Sequence, residues 1–375
     1  MTIEPLLSPD EFVGLEGITH LCSGGESPWL KCQDEVYEAF GHLKSGSAEG
    51  RGSVSERGED CRRKVGQLWG VPAARVSFVS AAAEGMNWLA RGLDWRPGDN
   101  VVTTNLEFPS VAYAWKNFRA QGVEVRMVPQ RDWRVHEEDL LDAVDERTRV
   151  LAVSQVSFYS GQNLDIERLS TVRQQGVLLA VDATHASGVL QVPAAATDLC
   201  VSSSYKWMLA THGTAPCYLS ERAEEQTAVT CYGWHNLAVW PAQQAERHAE
   251  VAIKPMPEKM EPGNRAMVVV LFLDRALDIL LNIGKEQIEN HAQNLSEQVG
   301  EGLQKLGYTV ISPQDRRSRS GNTCFLVEDT SGLQQRLAQN QVLVWGDFGR
   351  MRVSGHLYNS SADVERFLEV LAEVG

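Results

Sequence analysis

Apolar residues follow two rhythms along this chain, and the change between them lays out its elements. Between residues 76 and 219, short and nearly continuous apolar runs alternate with segments of helical spacing. The runs Val76–Val79, Asn100–Thr104, Val123–Val128, Val150–Val156 and Val177–Asp182 predict strands, with Leu199–Ser203 and Thr214–Leu219 as two more. Continuous apolar character means that both faces are covered, as in a parallel sheet between helical layers. The segments Arg62–Leu68, Glu84–Leu93, Val111–Gln121, Glu137–Val144 and Ile166–Gln175 predict those helices. Ser45–Ser53, rich in Ser and Gly, reads as a loop.

Past Glu258 the rhythm lengthens. Met267, Val270, Leu271, Ala276 and Leu277, then Ile288, Leu295, Val299 and Leu303, recur at helical spacing and predict long helices over Asn264–Asn282 and Lys285–Leu306. Short strands at Thr309–Ile311, Cys324–Val327, Val342–Val344 and Met351–Ser354, closed by a helix over Ser361–Glu373, predict a small α+β unit. The expected class is therefore α/β, a large domain with a mostly parallel seven-stranded sheet flanked by helices, plus a small α+β C-terminal domain. The expected boundaries are an N-terminal segment over 1–20, the large domain over 21–258, and a bridging helix with the small domain over 259–375.

Composition narrows the partners. With 375 residues, 43% hydrophobic and 22% charged, the chain reads as globular rather than collagenous, coiled-coil or disordered. Lys and Arg number 35 against 49 Asp and Glu, a net charge of −14 that disfavours nucleic acid and anionic membranes. No apolar run approaches the ~20 residues of a membrane span. Residues 1–12 carry no basic residue, so no signal peptide is expected. Seven cysteines without a CxxC pair point to reduced thiols in a cytoplasmic protein, not to a metal site.

The candidate chemistry sits at strand ends. Leu178-Leu-Ala-Val-Asp182 carries a carboxylate to the C-terminal end of a buried parallel strand, where α/β sheets bind ligands, and His185 follows in the next turn. In Asp198-Leu-Cys-Val-Ser-Ser-Ser-Tyr-Lys-Trp207, Lys206 stands directly after an apolar strand and three serines. A lone Asp is more often a helix cap and a lone Lys a surface group. The pairing of the two is what raises the functional reading.

The combination Asp182-x-x-His185 with Ser203-Ser-Tyr-Lys206 resembles the signature of the aminotransferase class V family, fold-type I enzymes that use pyridoxal 5′-phosphate. The family includes cysteine desulfurases, selenocysteine lyases, kynureninases, isopenicillin-type epimerases and aminotransferases. Phe78-Val-Ser-Ala-Ala-Ala-Glu-Gly-Met-Asn87 is similar to its phosphate-binding turn, and Gly349-Arg-Met-Arg-Val-Ser-Gly-His-Leu-Tyr-Asn359 to its carboxylate-arginine segment. The resemblance implies that Lys206 forms a Schiff base with the cofactor and then serves as base and acid. It implies that Asp182 pairs with the pyridinium nitrogen and that His185 lies by the ring hydroxyl. Ser203, Tyr205 and the backbone amides of Ala82 and Ala83 would hold the phosphate. Ala83 stands where the family usually has Thr, and Tyr205 where it often has His, the latter similar to the kynureninase branch.

Phe108, in Leu106-Glu-Phe-Pro-Ser110, would stack on the cofactor where desulfurases carry His; ordinary core packing is the alternative. Phe158 would stand where desulfurases place Asn. Arg352 would fork onto the substrate carboxylate, leaving Arg350 as a solvated strand arginine. Met260-Glu-Pro-Gly-Asn264 is similar to a segment that crosses a dimer interface to the neighbour's phosphate, so a homodimer is implied; Asn264 would equally suit a helix N-cap. Trp234 and His235 would line the substrate entrance or merely pack. Val342–Met351 contains no Cys, and Cys324 reads as an inert buried thiol, so a persulfide-forming desulfurase is disfavoured. The leading expectation is transamination of an α-amino acid. The alternatives are a β-carbon lyase (C–S or C–C, cysteine lyase or kynureninase-like) and an amino-acid racemase or epimerase. A non-catalytic module is opposed by the intact Lys206, Asp182 and His185.

Overall fold

The computed structural model describes residues 2–240 and 251–375. Seven strands build its main sheet: β1 (Val76–Val79), β2 (Asn100–Thr104), β3 (Glu124–Val128), β4 (Thr148–Ser154), β5 (Leu178–Asp182), β6 (Leu199–Val201) and β7 (Ala215–Leu219). Their order is β1-β7-β6-β5-β4-β2-β3. The pairs from β6 across to β3 are parallel, and β7 runs antiparallel to both its neighbours. The apolar runs are continuous because these strands are buried on both faces. The exception is the edge strand β3, where Glu124 and Arg126 form a surface ion pair; charge of this kind discourages further strand pairing.

Three helices frame the first part: α1 (Cys32–Ser45), α2 (Ser47–Trp69) and α3 (Ala82–Gly92). Further on come α4 (Met267–Ile283) and α5 (Lys285–Lys305). The C-terminal part holds a three-stranded antiparallel sheet of β8 (Asn322–Leu326), β9 (Trp345–Asp347) and β10 (Arg350–Ser354), in the order β9-β10-β8. It closes with α6 (Ser361–Val374), whose start is fixed by a reciprocal cap between Ser360 and Asp363. The first residues are stitched onto this C-terminal part. Thr19–His20 pairs in parallel with Val342–Leu343, and Ile3 exchanges hydrogen bonds with Ser361.

Several expectations are corrected. The stretch read as a loop, Ser45–Ser53, is helical apart from Gly46: α1 ends at Ser45 and α2 begins at Ser47. Gly50 provides clearance there, since a side chain would run into the Leu43 carbonyl. The rest of α2 packs along α4 through its apolar stripe, which includes Cys61 and Val65. Val111–Gln121 is not one helix. A short turn over Pro109–Ala112 gives way to a 3₁₀ segment over Lys116–Gln121, and Trp115 between them is fully buried edge-on to Trp95. Thr309–Ile311 forms no strand. Val310 makes one bridge to Phe325, and Pro313 just beyond has no N–H with which to extend a ladder. The long helix starts at Met267 after Pro262 and Gly263, so its N-cap is Ala266 and not Asn264. None of the described helices is long and apolar enough to cross a membrane.

Candidate active site

At the C-terminal ends of β4, β5 and β6 lies a cavity of about 180 Å³. Its floor is the end of β5. Asp182 is buried, and its Oδ1 accepts the backbone N–H of Thr184 at 2.8 Å. The Thr184 hydroxyl in turn accepts from the Ser203 N–H at 3.0 Å, tying the β5 turn to the lysine loop. Burial raises the Asp182 carboxyl, and the hydrogen bonds from Thr184 and the charge of Lys206 work against that rise.

Lys206 stands on the loop between β6 and β7, and that loop is held from several sides. The Ser204 hydroxyl donates to the carbonyls of Thr211 and Thr214, Gln33 donates to the Leu209 carbonyl, and Ser27 to that of Tyr205. The next residue, Trp207, is fully buried, and His356 Nε2 lies 2.9 Å from its carbonyl. The Lys206 amine therefore has little freedom. Burial and the nearby Arg352 lower its pKa from an ordinary lysine value to about 7. Its Nζ lies 2.9 Å from His185 Nε2 and above the rings of Phe108 and Tyr205, at 5.8 and 5.5 Å. Burial, with the charge of Lys206 added, pushes His185 well below its usual pKa, so the ring is neutral.

Opposite stands the N-terminus of α3. The first N–H groups of a helix lack intrahelical acceptors and attract anions. Here Ala81, Ala82 and Ala83 line the cavity, and the Ala82 N–H reaches Ser203 Oγ at 3.4 Å. Phe108 and Phe158 form an aromatic wall, edge to face at 5.2 Å. Behind Phe158 lie two arginines of β10. Arg350 Nη2 and Arg352 Nη1 both donate to the Phe158 carbonyl, at 3.2 and 3.1 Å.

The structure thus brings together Ala82, Ala83, Phe108, Asp182, His185, Ser203, Tyr205 and Lys206 around one cavity. Arg352 abuts it through Phe158. Asn264 lies elsewhere on its own chain, exposed and bonded to Arg51 at 3.2 Å. Arg350 corrects an expectation: it is not solvated but fully buried, paired with Asp347 at 2.7 Å and lying over the Tyr159 ring at 4.2 Å. The period of two on β10 points Arg350 and Arg352 to one side, and Tyr159 and Asp347 cover the outer of them. Trp234 is half-exposed with Arg51 over its ring, and His235 Nδ1 lies 2.9 Å from the Glu261 carbonyl. Cys324 is buried and its thiol pKa is raised by that burial.

A helix N-terminus beside a serine, a buried carboxylate, and a desolvated lysine amine form the donor set that a phosphorylated aldehyde with a basic ring nitrogen requires. The Aminotransferase class-V family model matches residues 30–367. The chain belongs to the class-V aminotransferase family. It is an enzyme, and its cofactor is pyridoxal 5′-phosphate. Among relatives, an uncharacterized aminotransferase of Schizosaccharomyces pombe is 24% identical over 84% of this chain and 81% of its own length. A probable cysteine desulfurase of Methanothermobacter thermautotrophicus is 24% identical over 84% of this chain and 83% of its own. The fold matches the apo cysteine desulfurase of Thermococcus onnurineus with a TM-score of 0.88, at 20% identity over 99% of each chain.

Several residues in or beside the pocket escaped the sequence reading of this family site. Ser110, Ser154 and Thr184 line the cavity. Glu107, one residue before Phe108, accepts the Ser154 N–H and hydroxyl, both at 2.6 Å, and burial lifts its carboxyl to about 7. The signal for Glu107 was present, a carboxylate in the loop that directly follows a buried strand.

Proposed function

We propose that this family member transaminates an α-amino acid, with Lys206 as the group that carries the substrate's α-proton. The supporting observation is the charge pattern around the cavity. Arg352 is 3% exposed, makes no ion pair among the described residues, and has an Nε without a hydrogen-bond partner. An unpaired buried cation is costly and invites an anion. A bidentate carboxylate suits a guanidinium fork, and the Lys206 amine, its pKa lowered to about 7, lies within reach of its charge. A molecule bearing both a carboxylate and an adjacent amine matches this pattern.

In this reading Lys206 would hold the cofactor's aldehyde end, and Asp182 would hold the proton of its ring nitrogen. The α3 N-terminus, Ser203 and Tyr205 would receive the phosphate, and His185 would face the ring oxygen. When bound, the cofactor supplies an electron sink for the bonds of the substrate α-carbon. Lys206, near neutrality in its pKa, is suited both to take the α-proton and to return it. The wall formed by Phe108 and Phe158 offers no proton of its own, and the Lys206 amine lies over the Phe108 ring. The free thiols, none disulfide-bonded among the described residues, fit the cytoplasm. Persulfide chemistry is disfavoured because residues 342–351 carry no thiol and burial raises both Cys22 and Cys324.

A β-carbon lyase is the second reading, favoured by Phe108 and Tyr205 in place of histidines. A panel of amino acids with product analysis by mass spectrometry separates the two. A 2-oxo acid, formed only with an amino acceptor present, supports transamination. Ammonia or a released side-chain fragment overturns it in favour of the lyase, and deuterium uptake at the α-carbon without other product in favour of a racemase.

A further inference from the structure

His185 touches Lys206 through one ring nitrogen, and its other nitrogen also has a partner. Nδ1 lies 3.3 Å from Asn322 Nδ2, at the first residue of β8. The same amide's Oδ1 accepts the Ser354 hydroxyl at 2.8 Å, from the facing position on β10. All four side chains are buried: Asn322 and Ser354 completely, His185 and Lys206 to within 6% and 8% exposure. They form a line Ser354–Asn322–His185–Lys206 that joins the C-terminal sheet to the lysine loop.

The amide could point either way, and the surroundings choose. Ser354 and Arg352 lie on the same face of β10, so the guanidinium charge stands on the Ser354 side of the amide. Gly24 packs into the gap, where a Cβ would stand 3.3 Å from Arg352 Nε and would overlap both Asn322 Oδ1 and Ser354 Oγ. A carbonyl dipole directed toward that cation is favoured over an NH₂ group directed toward it. The NH₂ then faces His185 and donates to Nδ1, and the neutral ring keeps its single proton on Nε2.

We propose that Asn322 is a positioning residue that fixes His185 in its Nε2–H tautomer, so that the ring always offers a proton, not a lone pair, to the cavity beside Lys206. The inference rests on the reading of this cavity as the catalytic one, but the tautomer is measurable whatever the reaction. Without Asn322 the Nε2 atom could present a lone pair and compete for the protons that the lysine carries.

The test is two-bond ¹H–¹⁵N correlation NMR on the full chain labelled at histidine, with and without cofactor, with His185 assigned by comparison with His185→Gln. The expected pattern is Nε2 protonated and Nδ1 bare in both forms. Asn322→Asp replaces the donor with an acceptor and should move the proton to Nδ1 or charge the ring. Asn322→Leu, of similar size and with nothing to offer Nδ1, should give mixed tautomers. An Nδ1–H or doubly protonated ring in the native protein overturns the proposal. So does an unchanged Nε2–H pattern in either folded variant. If neither variant folds, the native spectrum still decides.

Discussion

At the scale of single residues, the site is governed by how much water each charged group has lost. Lys206 is the clearest case. Its pKa is lowered to about 7 by burial, with Arg352 adding to the effect. The amine of the cofactor-free protein should therefore acylate with a midpoint near pH 7, against 10.5 for an ordinary lysine, as read by mass spectrometry of its peptide. The same displacement has a stability sign. Between pH 7 and 10.5 the unfolded chain binds the proton that the folded chain has released, so stability rises with pH across that window. The penalty is fully present below pH 7, where Lys206→Met should stabilise the cofactor-free protein by on the order of 3 kcal/mol. Chemical unfolding at several pH values should show this gap closing toward pH 10.5. Asp182→Asn should keep the fold and some cofactor but lose roughly a hundredfold or more in turnover, because an amide cannot hold a ring proton by charge. Near-native rates in a steady-state assay would refute that pairing.

At the scale of elements, much of the site was legible because a parallel sheet presents strand ends together. Asp182, His185 and Lys206 each follow an apolar run closely, so a linear reading finds them. Asn322 gives no such signal: it meets His185 across 137 residues, through packing of the C-terminal sheet on the large one. Arg350 was misread for a related reason, since the pattern of β10 cannot reveal that Tyr159 and Asp347 cover it. The loop read into Ser45–Ser53 failed because glycine serves close helix contact as well as flexibility. Gly188 is a sharper instance. Its φ is +96°, and a Cβ there would strike the carbonyl of Trp207, immediately after Lys206. Gly188→Ala should cost roughly 2 kcal/mol or more in stability. It should also weaken cofactor retention, because relief of the clash moves the lysine loop. Thermal unfolding together with cofactor titration checks both effects; unchanged retention would separate Gly188 from the site.

At the scale of the whole molecule, the segment before α4 bears on assembly. Glu261 is buried and bonded to the Phe78 N–H at 2.8 Å and to Arg62 at 3.1 Å, which seats the segment against β1. Asn264, three residues on, remains at the surface. We propose a homodimer in which Asn264 completes the neighbour's phosphate site. Mixing Lys206→Ala with Asn264→Ala subunits tests this, since a mixed dimer has one site with both native residues only if Asn264 serves the opposite subunit. Regained activity after confirmed exchange supports the shared site, and its absence excludes it.

The stitching of residues 3–21 onto the C-terminal sheet and α6 also has a consequence for synthesis. The strand at Thr19–His20 finds its partner at Val342–Leu343, and Ile3 finds its own at Ser361. On a ribosome, these two segments emerge long before the partners they pair with. Thr19–His20 and Ile3 must wait while the whole main sheet is made, and contacts of such long sequence separation form late. The strand Val342–Leu343 is therefore covered by residues made some three hundred positions earlier. A fragment carrying residues 259–375 alone would expose the edge that Thr19–His20 covers, and adding a peptide of residues 2–21 in trans is the natural way to protect it.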